Sequence, residues 1–383
     1  MTEPAAPTSR LGAILVRTLA SVLPVALVLL AIPIWHYSDL IVGPRLASTF
    51  HEQRVFAADS GRVRLSRDRE SLQPGMWTLQ WEDGFGRIGP VLGSDDTSVV
   101  RAFEPVLGKP PAGGWASLRG ISRSANPMNM LGIAYEARAF DGPLGTYPAW
   151  FVPGGDSTWV IYVHGIGANR AEGLRTFSVL TTRGLPALFI SYRNDLDAPH
   201  SPDGLYHLGL TEWQDIEAAV RYALAHGARR VVISSYSMGG QITLQFMSRS
   251  PLATHVAGLV LESPAMDWNA TLIHRSRVLG APLIATWLGK QVAGMRARLD
   301  WDQLDRVKHH EGVTAPILLF HGIHDEYVPE PPSEAFARAL PRQVTFVRIE
   351  EANHVEAWNA DPARYTATVN EWCTAYGIGT APR

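Results

Sequence analysis

The sequence contains little cysteine and little lysine. Cys373 is the only cysteine among 383 residues, so the chain can form no internal disulfide and is compatible with either side of a membrane. Lysine occurs only three times among 34 basic residues, and 36 acidic residues bring the formal net charge to −2. No basic stripe interrupts this balance, which argues against nucleic acid as a partner. No cysteine–histidine cluster indicates a metal site, and we expect neither a metal nor another cofactor.

One long stretch contains no charged side chain. It runs from Thr18 to Tyr37, and as a helix it would span about 30 Å, the thickness of the bilayer hydrocarbon. Trp35 and Tyr37 end it with the ring types that favour a membrane interface. No small-residue cleavage site follows promptly, which favours an uncleaved single-pass anchor over a cleaved signal or a soluble helix. Arg10 and Arg17 precede the stretch and favour placing the rest of the chain outside the cytoplasm.

The most informative stretch is Ser-Tyr-Ser-Met-Gly-Gly at 235–240, which directly follows the apolar run 230–233. This pattern predicts a buried strand that ends in a sharp turn and continues as a helix, with Ser237 at the apex. Such a turn, the nucleophile elbow, holds the serine hydroxyl clear of the sheet. The usual motif has glycine where this chain has Ser235, a residue small enough to fit. An ordinary Ser/Gly-rich loop is the alternative.

Two later loops contain the partners that a serine nucleophile needs, a base and a carboxylate that orients the base. An apolar strand at 317–320 leads into a loop with Asp325, and an alternating strand at 344–349 leads into a loop with His354. Loops that follow neighbouring parallel strands lie side by side. We therefore expect Asp325 to be the acid and His354 the general base. Glu326 is the local competitor for the acid role.

A glycine-containing loop at 164–167 predicts an oxyanion hole. It follows the apolar strand 159–163, and its glycines allow backbone N–H groups to turn toward a ligand. One donor is expected from Ile166 or a neighbour. The other is expected from the amide of Met238, directly after the serine at a helix N-terminus, where the helix dipole favours negative charge. An ordinary strand-to-helix turn is the alternative for this loop alone.

Together these motifs, in this order, resemble the α/β-hydrolase superfamily. Within it, the chain is most similar to the branch of monoacylglycerol-lipase-like and serine-aminopeptidase-like hydrolases, and the resemblance extends from about Leu131 to Tyr376. It implies that Ser237 is the nucleophile, Asp325 the acid and His354 the base, with oxyanion donors at Ile166 and Met238. It implies no cofactor.

The chain divides into three predicted parts. Residues 1–37 contain the anchor, 38–127 form a small β-rich extension, and 128–383 form a mostly parallel α/β sheet with helices on both faces. A broadly apolar interval at 264–312 is expected to be a small helical cap over the site, although a core-facing helix pair fits the same pattern. In the extension we expect strands at 76–81 and 98–103 and a structural role. The sheet strands are expected at 132–138, 145–152, 159–163, 187–192, 230–234, 258–262, 317–320 and 344–349.

These features predict a serine hydrolase that cleaves carboxylic esters through an acyl-enzyme on Ser237. A cap and an anchor favour lipid-derived or apolar acyl esters as small-molecule substrates. A serine peptidase or an acyl-thioesterase is the enzyme alternative. An aminopeptidase would need acids that hold a free amine, and Glu262, Asp267 and Glu356 are the candidates. A catalytically inactive hydrolase-fold receptor or scaffold is the non-enzyme alternative, disfavoured because no triad member is missing.

Overall fold

The N-terminal part of the protein is a closed six-stranded antiparallel barrel with neighbours in the order β1-β2-β5-β4-β3-β6. A computed structural model describes residues 32–44, 52–59 and 61–379. Alternate residues of the strands point inward, so that Val55, Leu65, Leu79 and Ile88 are fully buried. The strands are β1 (Gln53–Ala58), β2 (Arg62–Ser66), β3 (Trp77–Trp81), β4 (Gly84–Ser94), β5 (Ser98–Leu107) and β6 (Trp115–Arg119).

The remainder is built on an eight-stranded, mostly parallel sheet, which confirms the predicted α/β-hydrolase fold. The strand order is β14-β13-β12-β11-β9-β10-β8-β7, and β8 is antiparallel to both of its neighbours. Its strands are β7 (Glu136–Gly142), β8 (Gly145–Val152), β9 (Thr158–Val163), β10 (Ala187–Ile190), β11 (Arg230–Tyr236), β12 (Val256–Glu262), β13 (Ile317–Gly322) and β14 (Val344–Ile349).

Helices cover both faces of this sheet, and each face has its own apolar core. One core includes Ile216 and Ile242, and the other includes Leu174 and Val369. Residues 32–42 are helical and are called α1. The other helices are α2 (Pro127–Leu131), α3 (Leu174–Thr181), α4 (Trp213–Ala225), α5 (Met238–Arg249), α6 (Trp268–Val278), α7 (Leu283–Ala297), α8 (Pro331–Ala339), α9 (Ala357–Ala360) and α10 (Pro362–Ala375).

The strand order places a crevice beside the centre of the sheet. The chain leaves β9 toward β10 on one side, then crosses back to β11 on the other side of β9. Ligands of open α/β sheets bind at the carboxyl ends of the strands where such a reversal occurs. The loop after β9 and the turn after β11 therefore face one another across this crevice.

The first strand of the sheet begins later than the sequence predicted. The strand was expected at 132–138, but the short helix α2 ends directly before residue 132 and β7 starts only at Glu136. Asn126 caps α2 by accepting a hydrogen bond from the amide of Asn129, and Pro127 fits the first turn. Gly132 ends the helix in the left-handed conformation at φ 69°. These capping signals outweigh the β-type pattern of the residues that follow.

The β-rich extension contains four strands that the sequence analysis did not predict, among them the longest, β4. Gly84 and Gly86 are of a residue type common in turns, yet both lie within β4. A side chain at Gly86 would place its Cβ 2.3 Å from the ring of Phe103. Glycine here marks close approach inside a barrel rather than a turn.

The predicted cap corresponds to α6 and α7, and α1 packs against α7. The Cβ of Tyr37 lies against Gly289, and Arg296 stacks over Trp35 while pairing with Asp39 at 2.8 Å. Most of the predicted anchor, up to residue 31, lies outside the described residues. Within the described part of the chain, no helix has the length and hydropathy needed to cross a membrane.

Candidate active site

The structure brings the three residues of the predicted triad together at the carboxyl edge of the sheet. His354 Nε2 lies 2.9 Å from Ser237 Oγ, and His354 Nδ1 lies 2.8 Å from Asp325 Oδ2. In this arrangement the serine hydroxyl donates to Nε2, and the Nδ1 hydrogen is donated to the carboxylate. Ser237 is only 8% exposed and lines the adjoining cavity.

The turn between β11 and α5 holds Ser237 in a strained conformation. Its φ of 51° and ψ of −119° are unfavourable for a residue with a side chain, a feature that marks functional turns. Gly239 makes the turn possible, because a Cβ there would lie 2.4 Å from the carbonyl oxygen of Val163. Ser235, which replaces the usual glycine, is fully buried and accepts a hydrogen bond from Thr243 Oγ1 at 3.1 Å. Ser235 is therefore accommodated within the elbow in the place of the usual glycine.

Asp325 is buried and held in its ionised form. Its Oδ1 accepts hydrogen bonds from the amides of Tyr327 and Val328, and His321 lies 3.4 Å from Oδ2. Burial alone would raise the pKa of Asp325, but His354 and His321 outweigh it and hold this pKa far below its usual range. Glu326, the predicted competitor, points away to an exposed ion pair with Arg69.

His354 is tuned by the same contact. Burial tends to lower its pKa, but the charge of Asp325 and their hydrogen bond outweigh burial and raise the pKa above its ordinary value. The ring also stacks on Tyr327 with centroids 5.2 Å apart. The imidazole is therefore oriented on two sides and is well suited to receive a proton from Ser237.

The predicted oxyanion loop lies beside the serine. A Cβ on Gly165 would approach Ser237 Cβ to 3.0 Å, and Ile166 lines the same cavity. Met238 is the first residue of α5, so its amide is at the helix N-terminus next to Ser237. The arrangement can supply backbone donors from Ile166 and Met238 to a developing oxyanion.

Glu172, which the sequence analysis did not single out, supports the oxyanion loop. Its Oε2 accepts the amide hydrogen of Gly165 at 2.7 Å, and its Oε1 lies 3.6 Å from Arg175 Nη2. Below the loop, buried His164 contacts Asp195 at 2.8 Å. These contacts fix the loop backbone before a substrate arrives. An acid nine residues after the end of a strand gives no sequence signal, so this residue was not foreseeable.

A cavity of about 970 Å³ opens in front of Ser237 and His354. Its walls come from the oxyanion loop, from α1, from the cap helices α6 and α7, and from the barrel. Trp268, Leu272 and Leu279 make the cap wall largely apolar, whereas Gln80 and Arg123 lie on the barrel side. A volume of this order suits a substrate with an extended apolar part.

The three acids considered for an aminopeptidase do not converge. Glu262 is buried beneath the site and accepts the amide hydrogen of Ala357 at 2.8 Å. Asp267 caps α6 through the amide of Asn269. Glu356 alone of the three lines the cavity, where burial raises its pKa to about 7. Across the described ranges, no group of His, Cys, Asp or Glu has an arrangement suited to a metal ion.

Comparison with solved structures supports the fold. The Pyrococcus furiosus esterase Pf2001 superposes in two crystal forms with TM-scores of 0.53 and 0.55, at 18% and 17% sequence identity. Each alignment covers 66% of this chain, and they cover 96% and 94% of the esterase. At this identity the likeness concerns the fold alone. A search of the curated proteins finds no match.

Two family models match separate parts of the chain. Residues 54–119, the barrel, match a domain of unknown function, DUF8805. Residues 178–376 match the prolyl oligopeptidase family. The second match covers just over half of the sequence and includes all three residues of the triad. The chain therefore belongs to the prolyl oligopeptidase family of α/β hydrolases.

Proposed function

We propose that this protein is a serine hydrolase that cleaves carboxylic esters with an apolar acyl part, acting through an acyl-enzyme on Ser237. The observation that carries the proposal is the continuous hydrogen-bonded chain from Ser237 through His354 to Asp325, with distances of 2.9 and 2.8 Å. This chain ends at a cavity large enough for a substrate.

The reaction follows from the geometry. Ser237 Oγ attacks the ester carbonyl while His354 Nε2 accepts its proton, and Asp325 stabilises the imidazolium that forms. The amides of Ile166 and Met238 bind the oxyanion of the tetrahedral intermediate. His354 then protonates the departing alcohol. Water, activated by His354, attacks the acyl-enzyme, releases the carboxylic acid and restores the serine.

The cavity lining favours an ester with an apolar acyl group. The cap helices contribute Trp268, Leu272 and Leu279, and α1 contributes Leu40 and Ile41. Apolar walls shed water and favour a substrate that buries hydrocarbon. The esterase activity in the name of the Pyrococcus furiosus protein is consistent with this choice. A lipase-like substrate such as a monoacylglycerol or a lysophospholipid combines an ester bond with an apolar acyl chain. A thioester of the same acyl group is the nearest alternative substrate.

A serine peptidase is the second candidate. The name of the prolyl oligopeptidase family favours it, as does Glu356, a carboxyl group in the cavity. Only one of the three acids considered for holding a free amine reaches the cavity, which is why we place the ester first. An inactive scaffold is the non-enzyme alternative, and the intact hydrogen-bonded triad argues against it.

Paired assays separate these candidates. We expect the purified protein to hydrolyse p-nitrophenyl esters, with a preference for medium over very short acyl chains, and to leave aminoacyl p-nitroanilides essentially uncleaved. Ser237→Ala should fold normally and lose both ester turnover and labelling by a fluorophosphonate probe. Faster cleavage of the anilides would favour the peptidase. Equal labelling of the variant and the native protein would remove Ser237 from its proposed role.

We further propose that the protein is held at a membrane by its N-terminal apolar segment, with the catalytic part on the extracytoplasmic side. The uncharged stretch from Thr18 to Tyr37 motivates this placement. It leads into α1, which packs on the cap. Large apolar side chains are exposed together on α1, α6, α7 and the loop between α6 and α7: Ile32, Trp35, Leu40, Ile273, Val278, Leu279, Leu283, Ile284, Trp287 and Met295.

Charge supports contact of this surface with a membrane. Between residues 268 and 299 the sequence has five basic residues and no acidic residue, within a chain that is nearly neutral overall. Basic and apolar side chains on one helical surface are the combination that binds an anionic lipid interface. Leu40 and Leu279 belong both to this surface and to the cavity wall. A lipid substrate would thus reach Ser237 from the bilayer side.

A further inference from the structure

The barrel contributes a wall to the catalytic cavity. Gln80 and Trp81 of β3 and Ser117 of β6 line the cavity together with Ser237 and His354. A structural role had been expected for this region, and the match to a domain of unknown function assigns it none. A wall in contact with the substrate space can influence which substrates bind.

Arg123 lies where the barrel meets the oxyanion loop, and its backbone is fixed from both sides. Its amide donates to Gln80 Oε1 of the barrel at 3.2 Å. Its carbonyl oxygen accepts a hydrogen bond from Asn169 Nδ2, just beyond the oxyanion loop, at 3.0 Å. Arg123 lines the catalytic cavity, and it also lines a smaller neighbouring cavity of about 240 Å³. The residue therefore has a defined place beside the reacting centre.

Within the described part of the chain, no acceptor forms a hydrogen bond or ion pair with the half-buried guanidinium of Arg123. The carboxylates of Glu172 and Asp195 act on its charge from a distance. Both are already engaged, Glu172 by the amide of Gly165 and Asp195 by His164 and the amide of Tyr192. Burial lowers the pKa of Arg123, as expected for a cation that has lost water without gaining a partner.

Two other arginines at the cavity differ in this respect. Arg175 donates to Asn359 Oδ1 and to a backbone carbonyl, and it lies close to Glu172. Arg275 stacks on Tyr327 and donates to the carbonyl oxygen of Glu326. Each of these two guanidinium groups thus has a hydrogen-bond acceptor within the protein, which Arg123 lacks among the described residues.

We infer that Arg123 binds an anionic group of the substrate, so that the preferred ester carries a carboxylate or a phosphate in addition to its apolar acyl part. This inference rests on the proposed ester hydrolysis and names its substrate class. A planar guanidinium presents paired donors that match the two oxygens of such an anion. Partial burial strengthens the attraction relative to open solvent. The charged group is held on the barrel side of the cavity, while the hydrocarbon lies along the cap.

Matched substrate pairs test the inference on the full-length protein. The first pair is a monoacylglycerol and the monoacylglycerol phosphate with the same acyl chain, which places the anion on the leaving group. The second pair is p-nitrophenyl pentanoate and the p-nitrophenyl hemiester of glutaric acid, which places a carboxylate at the end of an acyl chain of equal length. We expect a higher kcat/KM for the charged member of at least one pair, and that pair identifies the source of the anion.

The variant Arg123→Gln should lower kcat/KM for that charged substrate by about 10- to 100-fold, as for one lost charged hydrogen bond. Turnover of the neutral partner should stay within about twofold. Arg123→Lys keeps the charge without the planar fork, and an intermediate loss is expected. Arg62→Gln, at an exposed position of the barrel, changes the net charge equally and should alter neither rate.

Two results would overturn the inference. One is a wild-type protein that prefers the neutral member of both pairs. The other is an equal loss on neutral and charged substrates in both Arg123 variants, which would indicate a purely structural residue. In either case the wild-type protein would still hydrolyse the neutral esters and label at Ser237 with the fluorophosphonate, so the proposed ester hydrolysis is judged separately.

Discussion

At the scale of single residues, the contact between Asp325 and His354 sets the proton chemistry of the site. The carboxylate raises the pKa of the imidazole, and the imidazole lowers the pKa of the carboxylate. Each ion is thus stabilised by the other. The base must be neutral to accept a proton from Ser237, so activity should fall as pH decreases through the raised pKa of His354.

Asp325→Asn tests this coupling. Without the charge, the pKa of His354 should fall, so the acid limb of the kcat/KM profile should move to lower pH. The plateau rate should drop by on the order of 10³- to 10⁴-fold, because the imidazolium loses its partner and its tautomer is no longer fixed. A pH–rate profile with a neutral p-nitrophenyl ester measures both effects.

Glu356 provides the control for that experiment. It lies two residues after His354, and its pKa of about 7 falls in the same pH range. The charge of Glu356 also raises the pKa of His354, but less than Asp325 does. Glu356→Gln should therefore move the acid limb to lower pH by less than Asp325→Asn does. If the acid limb disappeared in Glu356→Gln and persisted in Asp325→Asn, the titrating group would be Glu356 and not His354.

Single residues also show how much the sequence could predict. Ser237, Asp325 and His354 were identifiable because each follows an apolar strand in a fixed order, and the sheet then places the loops together. Arg123 and Glu172 were not, because neither belongs to a pattern. Their roles depend on contacts between segments that are separated along the chain.

At the scale of secondary-structure elements, strands were predictable where the apolar pattern had clear ends. The predicted bounds of β8 and β14 agree with the structure, since turn residues flank both strands. Strand β4 was missed because a glycine-rich segment is also typical of a turn. In the structure, the absence of a side chain at Gly86 lets the ring of Phe103 approach the strand backbone. Whether such a glycine belongs to a turn or to a strand depends on the side chains of the neighbouring strand, which the local sequence does not contain.

The cap helices carry a prediction of their own. Leu283→Asp places a charge on the apolar surface of α6 and α7 and should lower turnover of a monoacylglycerol embedded in phosphatidylglycerol-containing vesicles by about tenfold, the effect of losing one buried leucine side chain. Hydrolysis of soluble p-nitrophenyl butyrate should not change. The measurement compares the two rates for the same preparation of the full-length protein.

Leu92→Asp is the matched control, because Leu92 on the barrel is 52% exposed and Leu283 is 51% exposed. It should leave both rates unchanged. An equal loss from the two variants on vesicles would mean that the cap surface has no special relation to lipid.

At the scale of the whole molecule, Asn359 links the barrel to the hydrolase sheet. It is fully buried, and its Nδ2 donates to the carbonyl oxygens of Met76 at 2.7 Å and Gly120 at 2.9 Å. Its Oδ1 accepts from Arg175 at 3.1 Å. One side chain therefore joins the start of β3 and the end of β6, which are neighbours in the barrel, to Arg175 of α3.

Asn359→Ala should lower the free energy of unfolding by about 2–4 kcal/mol, because it leaves two partly buried carbonyls and one buried guanidinium N–H without this partner. Urea denaturation followed by circular dichroism measures the change. Asn359→Asp keeps the acceptor for Arg175 but loses both donors, so it should also be destabilising. An unfolding midpoint equal to that of the native protein in both variants would show that the barrel is held by other contacts.

The shared cavity wall has an evolutionary consequence. The proposed catalytic residues belong to the hydrolase sheet, whereas part of the wall that would contact the substrate belongs to the barrel. Exchange of the small module between related chains would then redirect an existing catalyst toward new compounds without a change at Ser237, Asp325 or His354. Diversity in this lineage is therefore expected to accumulate in the barrel first.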